Sequence, residues 1–280
     1  MIVDSVSIPK IIHYVWLGRG ELGALEKKCI ASWREKLPDY EIKFWNEDSF
    51  DISSNQYLSE AYQAGYYAFA SDYIRMWAVY NYGGIYLDTD TEVVKSFDPL
   101  LVHKAVFGFE IANYLNCGVL MARPKHPFFK KLFDSYASRS FYKADGEFDL
   151  YTSPMLVTDS LQKEYPHIRL DNTEQDLGDV HIYTIEHLCA VDCWRRKLLV
   201  TENTYCIHHY RGSWTEDLYE PCTVEGNDGF QKIFRKIYWK RKLYKLKKYF
   251  KKAYWKKKTD RLKRFKQKAY WKKKVQKLKK

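Results

Sequence analysis

Charge divides this chain before any fold does. From Gln231 to Lys280 there are 25 Lys or Arg residues and a single acid, Asp260. Burying so many unpaired like charges is prohibitive, so a core must be built from what precedes them. Residues 1–230 hold 22 basic and 34 acidic residues, a net −12 that the whole-chain figure of +12 conceals. Two domains are therefore expected: 1–229 as a mildly acidic globular domain and 230–280 as a basic tail. The chain is 46% hydrophobic, with 24 Tyr and 9 Trp, enough for a sizeable core and for stacking on flat ligands. The N-terminus lacks the order of a signal peptide, and no apolar run reaches the ~18 residues of a membrane span. A cytosolic chain is the simplest expectation. Of six cysteines, only Cys189 and Cys193 are close, and none shows paired zinc-site spacing, so reduced structural thiols are expected.

Within the acidic part, β-rich and helical patterns alternate. "IPKIIHYVWLG" (8–18) reads as the first strand. Residues 21–37 carry Leu25, Cys29, Ile30, Trp33 and Leu37 at helical spacing. "YEIKFWN" (40–46) alternates as a second strand. A helix follows with a break near Gly65, and Gly83-Gly84 supplies its C-cap. "IYLD", "AVFGFE" and "CGVLMA" are short strands, and a helix is expected around 127–139. The stretch 140–180 is less regular, with Pro154 and Pro166 as breaks. "YCIHHYRGSW" (205–214) closes the acidic part. Such alternation predicts an α/β sheet with helices on both faces, in which ligands bind at the carboxyl ends of the strands.

The stretch "YNYGGIYLDTDTEVV" places two acids at such an end. In extended backbone Asp88 and Asp90 project to the same side. Two carboxylates held together repel, and a hard divalent cation such as Mn²⁺ or Mg²⁺ relieves this while leaving room for substrate phosphates. The pattern also fits two surface aspartates; the order helix, Gly-Gly, buried strand, acid pair is what favours a metal–diphosphate site. Upstream, Asp72 and Arg75 share a helix face. They read either as an intrahelical salt bridge or as holders of a sugar hydroxyl and a phosphate.

"SDYIRMWAVYNYGGIYLDTD" resembles the DXD-containing sugar-binding region of retaining glycosyltransferases: Och-type mannosyltransferases, bacterial capsular polysaccharide glycosyltransferases and, more distantly, the clostridial glucosylating toxins. "IPKIIHYVWLG" and "HHYRGSW" extend the resemblance over about residues 8–214, in the family's order. The resemblance implies a GT-A fold, a Rossmann-like α/β domain with one nucleotide-sugar site. It implies stacking of Trp16 on the nucleobase, although a core aromatic would look the same. It further implies donor-sugar and phosphate contacts for Asp72 and Arg75, a ribose or sugar contact for Asp88, and Asp90 as principal metal ligand. Asn116 falls where relatives place a sugar- or acceptor-facing polar residue. His209 and Ser213 would complete the metal shell, with His208 able to replace His209, and Ser213 and Trp214 would lie against the donor. Och-type enzymes carry an N-terminal anchor and the toxins large translocation domains, neither of which is seen in this sequence.

The reaction this implies is transfer of a hexose, with retention, from a nucleotide-diphosphate sugar (UDP-sugars first) to a hydroxyl acceptor in surface polysaccharide or glycolipid synthesis. No carboxylate stands out in the sequence as a covalent nucleophile. A metal-dependent phosphoryl-transfer enzyme would need further acids for a two-metal cluster. A polyanion-binding protein would leave the acid pair, "VWLG" and "HHYRGSW" without a reason.

The tail repeats "KIYWKRK", "KAYWKKK" and "KAYWKKK" every 16 residues, with Trp239, Leu243, Leu246 and Phe250 at helical spacing. No glycine or proline follows Gly229, so a helix of up to about 75 Å is expected, with a break near Thr259-Asp260. Tyr-Trp pairs among lysines suit an anionic membrane surface, where each basic residue contributes about 1 kcal/mol. A peripheral membrane tether on the cytoplasmic face is expected ahead of nucleic-acid binding.

Overall fold

The computed structural model describes residues 7–111, 113–192 and 197–210. The boundary expected at 229/230 and the whole basic tail lie outside the described residues, as do Ser213 and Trp214.

The elements run β1 (Ile11–Val15), α1 (Ala24–Lys36), β2 (Glu41–Trp45), α2 (Gln56–Gln63), α3 (Tyr67–Tyr82), β3 (Gly84–Leu87) and β4 (Thr91–Val93). Then come β5 (Ala105–Ile111), β6 (Tyr114–Leu115), β7 (Val119–Ala122), α4 (Pro127–Asp134), α5 (Ser153–Glu164), β8 (Gln175–Asp176) and β9 (His181–Tyr183). The last are α6 (Ile185–Leu188), β10 (Val191–Asp192), β11 (Lys197–Leu198) and β12 (Cys206–His208). The main sheet has the order β2-β1-β3-β7-β5-β9-β8, with β6 beside β5. Its β2-β1-β3 end is parallel, and β7 enters antiparallel between β3 and β5.

Alternate side chains of the same strands enter two separate cores. Tyr86, Leu120, Phe107 and Phe109 join α2, α3, α4 and α5 residues in one cluster. Ile85, Leu87, Val119 and Met121 join Ile30 and Trp33 of α1 in the other. The sheet is thus covered on both faces, and the α/β expectation is borne out.

The break between α2 and α3 falls at Gly65, whose φ of +77° suits glycine. Gly84 starts β3 at φ +91°, and a Cβ there would lie 2.5 Å from the Ile11 carbonyl oxygen, so the strand can join β1 only as glycine. Pro154, expected to break structure, instead sits in the first turn of α5. There its missing N–H is no loss and its fixed φ favours the helix. The helix expected over 127–139 ends at Asp134, and turns follow.

Candidate active site

β3 leaves the core between two neighbours and stops at Leu87, which delivers Asp88 and Asp90 to the sheet's carboxyl edge. Asp88 is fixed at once: its N–H donates to the Gly118 carbonyl at 2.8 Å, and its own carbonyl accepts from Thr91 N–H at 2.9 Å. β4 then turns away under α1. The indole of Trp33 donates to the Thr91 carbonyl at 2.7 Å, and the Ser32 hydroxyl accepts from Val93 N–H at 2.9 Å. β12 pairs antiparallel with β4 and sets His208 opposite Thr91. A strand 113 to 117 residues further along the chain is thereby laid beside the acid pair.

Strand parity decides which histidine faces the acids. His208 Nε2 lies 3.3 Å from Asp90 Oδ1 and 3.8 Å from Asp88 Oδ2. His209, expected as the metal ligand, points to the other side and pairs with Glu92 at 2.8 Å, where Lys28 also binds. Among the described residues, Asp88, Asp90 and His208 form one group whose ligand atoms lie within 4.8 Å of one another. Two carboxylates and an imidazole are donors that suit Mn²⁺, and oxygen donors suit Mg²⁺. Burial alone would lower the basicity of His208, but Asp90, Asp88 and Glu110 outweigh it and push its pKa up to about 9. The site therefore calls for positive charge.

Beneath the rim lies a second, closed cluster. Arg75 Nη2 lies 3.2 Å from Asp72 and 3.3 Å from Asp88, and Nη1 donates to the Cys117 carbonyl at 2.7 Å. The guanidinium covers the Tyr86 ring at 4.6 Å, and the Tyr86 hydroxyl donates to Asp88 at 2.7 Å. Burial opposes the charge of Arg75, yet Asp88, Tyr86 and Asp72 hold it firmly protonated. The i,i+3 pairing of Asp72 with Arg75 is thus present, but both residues are buried in the floor of the site. Arg75 here supports Asp88, a role beside the phosphate contact that the resemblance implies.

Two buried polar atoms at the rim of this site have no partner, Asn116 Nδ2 and His208 Nδ1. Buried polar groups are nearly always satisfied in native proteins, so such a concentration fits a ligand-binding place. Asn116 itself is buried and accepts from Gly118 N–H at 2.5 Å. Gly118 forms the wall: a Cβ there would lie 2.8 Å from His208 Cε1 and 3.0 Å from both Asn116 Oδ1 and Asp88 Oδ2.

Trp16 follows the end of β1. The parallel register His13–Tyr86 carries Val15 level with Asp88, so Trp16 stands at the same sheet edge as the acids. It is half-buried, and its indole donates to the Gly20 carbonyl at 2.6 Å, which ties down the loop that follows. The described cysteines, Cys29, Cys117, Cys189 and Cys206, are buried.

Sequence reasoning missed Glu110. It lies on β5, half-buried, where the charges of His208, Asp88 and Arg75 act on it, and burial pushes its pKa up to about 7. "AVFGFE" ends an apolar strand on an acid, the same signal that marks Asp88 at the end of "IYLD".

With this geometry in place, the comparisons with known proteins are specific. Residues 23–107 match the family model described as a glycosyltransferase sugar-binding region containing the DXD motif. Inositol phosphoceramide mannosyltransferase 3 of Schizosaccharomyces pombe is 32% identical over 133 residues, which cover 45% of this chain and 36% of the relative. Mannosyl phosphorylinositol ceramide synthase CSH1 of Saccharomyces cerevisiae is 30% identical over 135 residues, 46% of this chain and 35% of the relative. The chain thus spans little more than a third of the length of the curated relatives it matches. Among solved structures, PaToxG glycosyltransferase aligns with a TM-score of 0.47 at 19% identity, over 57% of this chain and 70% of that one. The resemblance read from the motifs is borne out over the stretch 23–107, which has the acid pair at 88 and 90 inside it and is similar to the DXD-containing sugar-binding region of glycosyltransferases.

Proposed function

We propose that this chain is a metal-dependent glycosyltransferase of GT-A type that moves a hexose from a nucleotide-diphosphate sugar to a hydroxyl acceptor. The observation that carries the reading is the convergence of Asp88, Asp90 and His208 within the matched region. When bound there, Mn²⁺ or Mg²⁺ would neutralise the charge that develops on the departing diphosphate. The chain's own groups do the rest. Asp88 is held rigid by Arg75, Tyr86 and the Gly118 carbonyl, so the acid pair is arranged before substrate arrives. Trp16, at the same edge, offers a ring for the base, and Asn116 Nδ2 offers a donor to a sugar oxygen. Retention of configuration rests on the family resemblance.

For the sugar, the names of the relatives put mannose first, with UDP-hexoses beside it. Those names also support a glycolipid acceptor over a capsular one. Among the described residues no helix is long and apolar enough to cross a membrane. Lysine-rich, aromatic residues 230–280 support a peripheral place on the cytoplasmic face of an anionic membrane, beside a lipid-linked acceptor. A phosphoryl-transfer enzyme built on two metals finds less support, since a single group of candidate ligands occurs among the described residues.

The test is a donor-hydrolysis screen of GDP-mannose, UDP-glucose and UDP-galactose with Mn²⁺, comparing the parent with Asp90→Asn. Release of sugar that needs both the metal and Asp90 is the expected result. Release that survives chelation or Asp90→Asn unchanged removes the proposal. Flotation with phosphatidylserine vesicles tests the tether: a chain cut after residue 229 should lose vesicle binding that the full chain shows.

A further inference from the structure

Glu110 is not one of the candidate cation ligands, yet the fold positions it specifically. On β5, Phe107 and Phe109 point into one core, and both are fully buried. Gly108 points the opposite way, where a Cβ would lie 2.9 Å from Leu188 Cβ. Alternation puts Glu110 on the Gly108 face. That face carries α6, and just beyond it the Cys189 carbonyl accepts from His208 N–H at 2.9 Å. Pairing of β5 with β6 also slips at this residue: Phe109 faces Leu115 and Ile111 faces Tyr114, so Glu110 has no residue opposite. Such bulges re-aim a side chain and are common beside active sites. Asn116 N–H donates to the Gly108 carbonyl at 2.8 Å, and Asn116 Oδ1 accepts from Gly118, which packs against His208 and Asp88, so this part of β5 lies beside the acid pair.

We propose that Glu110 is a specificity-determining residue that accepts a hydrogen bond from a hydroxyl of the transferred sugar. This rests on the reading of the site as one for a nucleotide-diphosphate sugar. Two alternatives fit the geometry less well. Glu110 is outside the group of ligand atoms that approach one another within 4.8 Å, so it is not one of the candidate cation ligands. A third carboxyl beside Asp88 and Asp90 repels a diphosphate, whereas a sugar hydroxyl presents a hydrogen to it. Asn116 Nδ2, the unpartnered donor on the same site, is complementary: a hydroxyl can accept from the amide while donating to the carboxyl. An acidic acceptor paired with an amide donor distinguishes hydroxyl orientations on a hexose, because a site built for one hydroxyl leaves its polar groups unpaired with another.

The experiment is isothermal titration of the parent, Glu110→Ala and Glu110→Gln with GDP, GDP-mannose, UDP, UDP-glucose and UDP-galactose in the presence of Mn²⁺. The expected result is a loss of about tenfold or more in affinity for the preferred nucleotide sugar in Glu110→Ala, the size expected for a hydrogen bond to a charged group. Glu110→Gln, nearly the same shape, should lose less. Affinity for the matching nucleoside diphosphate should stay the same or tighten, because a repelling charge is gone. The inference is overturned if sugar-bearing and sugar-free nucleotides weaken alike, or if neither changes. Should the parent bind no nucleoside diphosphate with Mn²⁺, the functional reading itself falls; a parent that binds, with an unaltered ratio in both variants, removes only the role of Glu110. Thermal melting of both variants confirms folding, and the near-isosteric Glu110→Gln carries the test if Glu110→Ala does not fold.

Discussion

The floor of the site and its rim are built from the same kinds of residue and have opposite electrostatic states. In the floor, Arg75 lies between Asp72 and Asp88, donates to a backbone carbonyl and covers Tyr86. Positive charge there is matched to its surroundings. At the rim, Asp88, Asp90 and Glu110 act together on His208. Negative charge there is in excess, and donors such as Asn116 Nδ2 are unpartnered. The difference separates structure from chemistry: the charges of the floor compensate one another, and the excess at the rim is left for a ligand to meet.

That contrast is broken most severely by Arg75→Met. Removing the guanidinium leaves the buried Asp72 and the half-buried Asp88 uncompensated, and such losses cost about 3–5 kcal/mol. Chemical denaturation should show a drop of that order; a drop under about 1 kcal/mol would mean the floor is not the closed cluster described.

A second closed polar group lies on β1. The Trp45 indole donates to His13 Nδ1 at 3.2 Å, so His13 is neutral and its Nε2–H donates to the Gly83 carbonyl at 2.8 Å. Burial lowers its pKa to about 4. Because the folded value lies below the unfolded ~6.5, this stability is fully present above about pH 6.5 and is lost as pH falls toward 4. The contribution is at most about 3 kcal/mol. Melting curves between these pH values should show it, and His13→Gln should flatten them.

At the rim, substitution should injure binding more than folding. Gly118→Ala would press on His208, Asn116 and Asp88, whose tips can move. The protein should still fold, but metal-dependent nucleotide affinity should fall about tenfold or more, since small misplacements at such sites are costly. Titration calorimetry beside a melting curve checks both halves. The smallest effect is expected from Lys28→Ala, which removes an exposed partner of Glu92 behind His209. Its stability cost should be within about 1 kcal/mol, with nucleotide binding unchanged.

Much of this was legible in the residues. Period-2 and helical patterns gave most elements, Gly83-Gly84 marked the helix end, and the acid pair at the end of an apolar strand marked the site. What escaped depends on pairing between distant segments. "HHYRGSW" offers two adjacent histidines, and only the antiparallel register of β12 on β4 selects His208 over His209. Asp72 and Arg75 were visible as helix neighbours, but the Cys117 carbonyl that anchors Arg75 lies 42 residues away. Glu110 carries the same strand-end signal as Asp88, and what no local pattern announces is the bulge on β5 that re-aims it. Pro154 shows a different gap: one residue fits both a break and a helix start, and only its position in α5 decides.

The central claim is that Asp88, Asp90 and His208 together hold the cation that recruits a nucleoside diphosphate. Its most direct test is Mn²⁺-dependent binding of GDP and UDP to His208→Ala and His209→Ala, side by side with the parent. The account predicts that His208→Ala loses roughly tenfold or more of the Mn²⁺-dependent affinity, while His209→Ala keeps it. Retention in His208→Ala, or loss in His209→Ala alone, would contradict it.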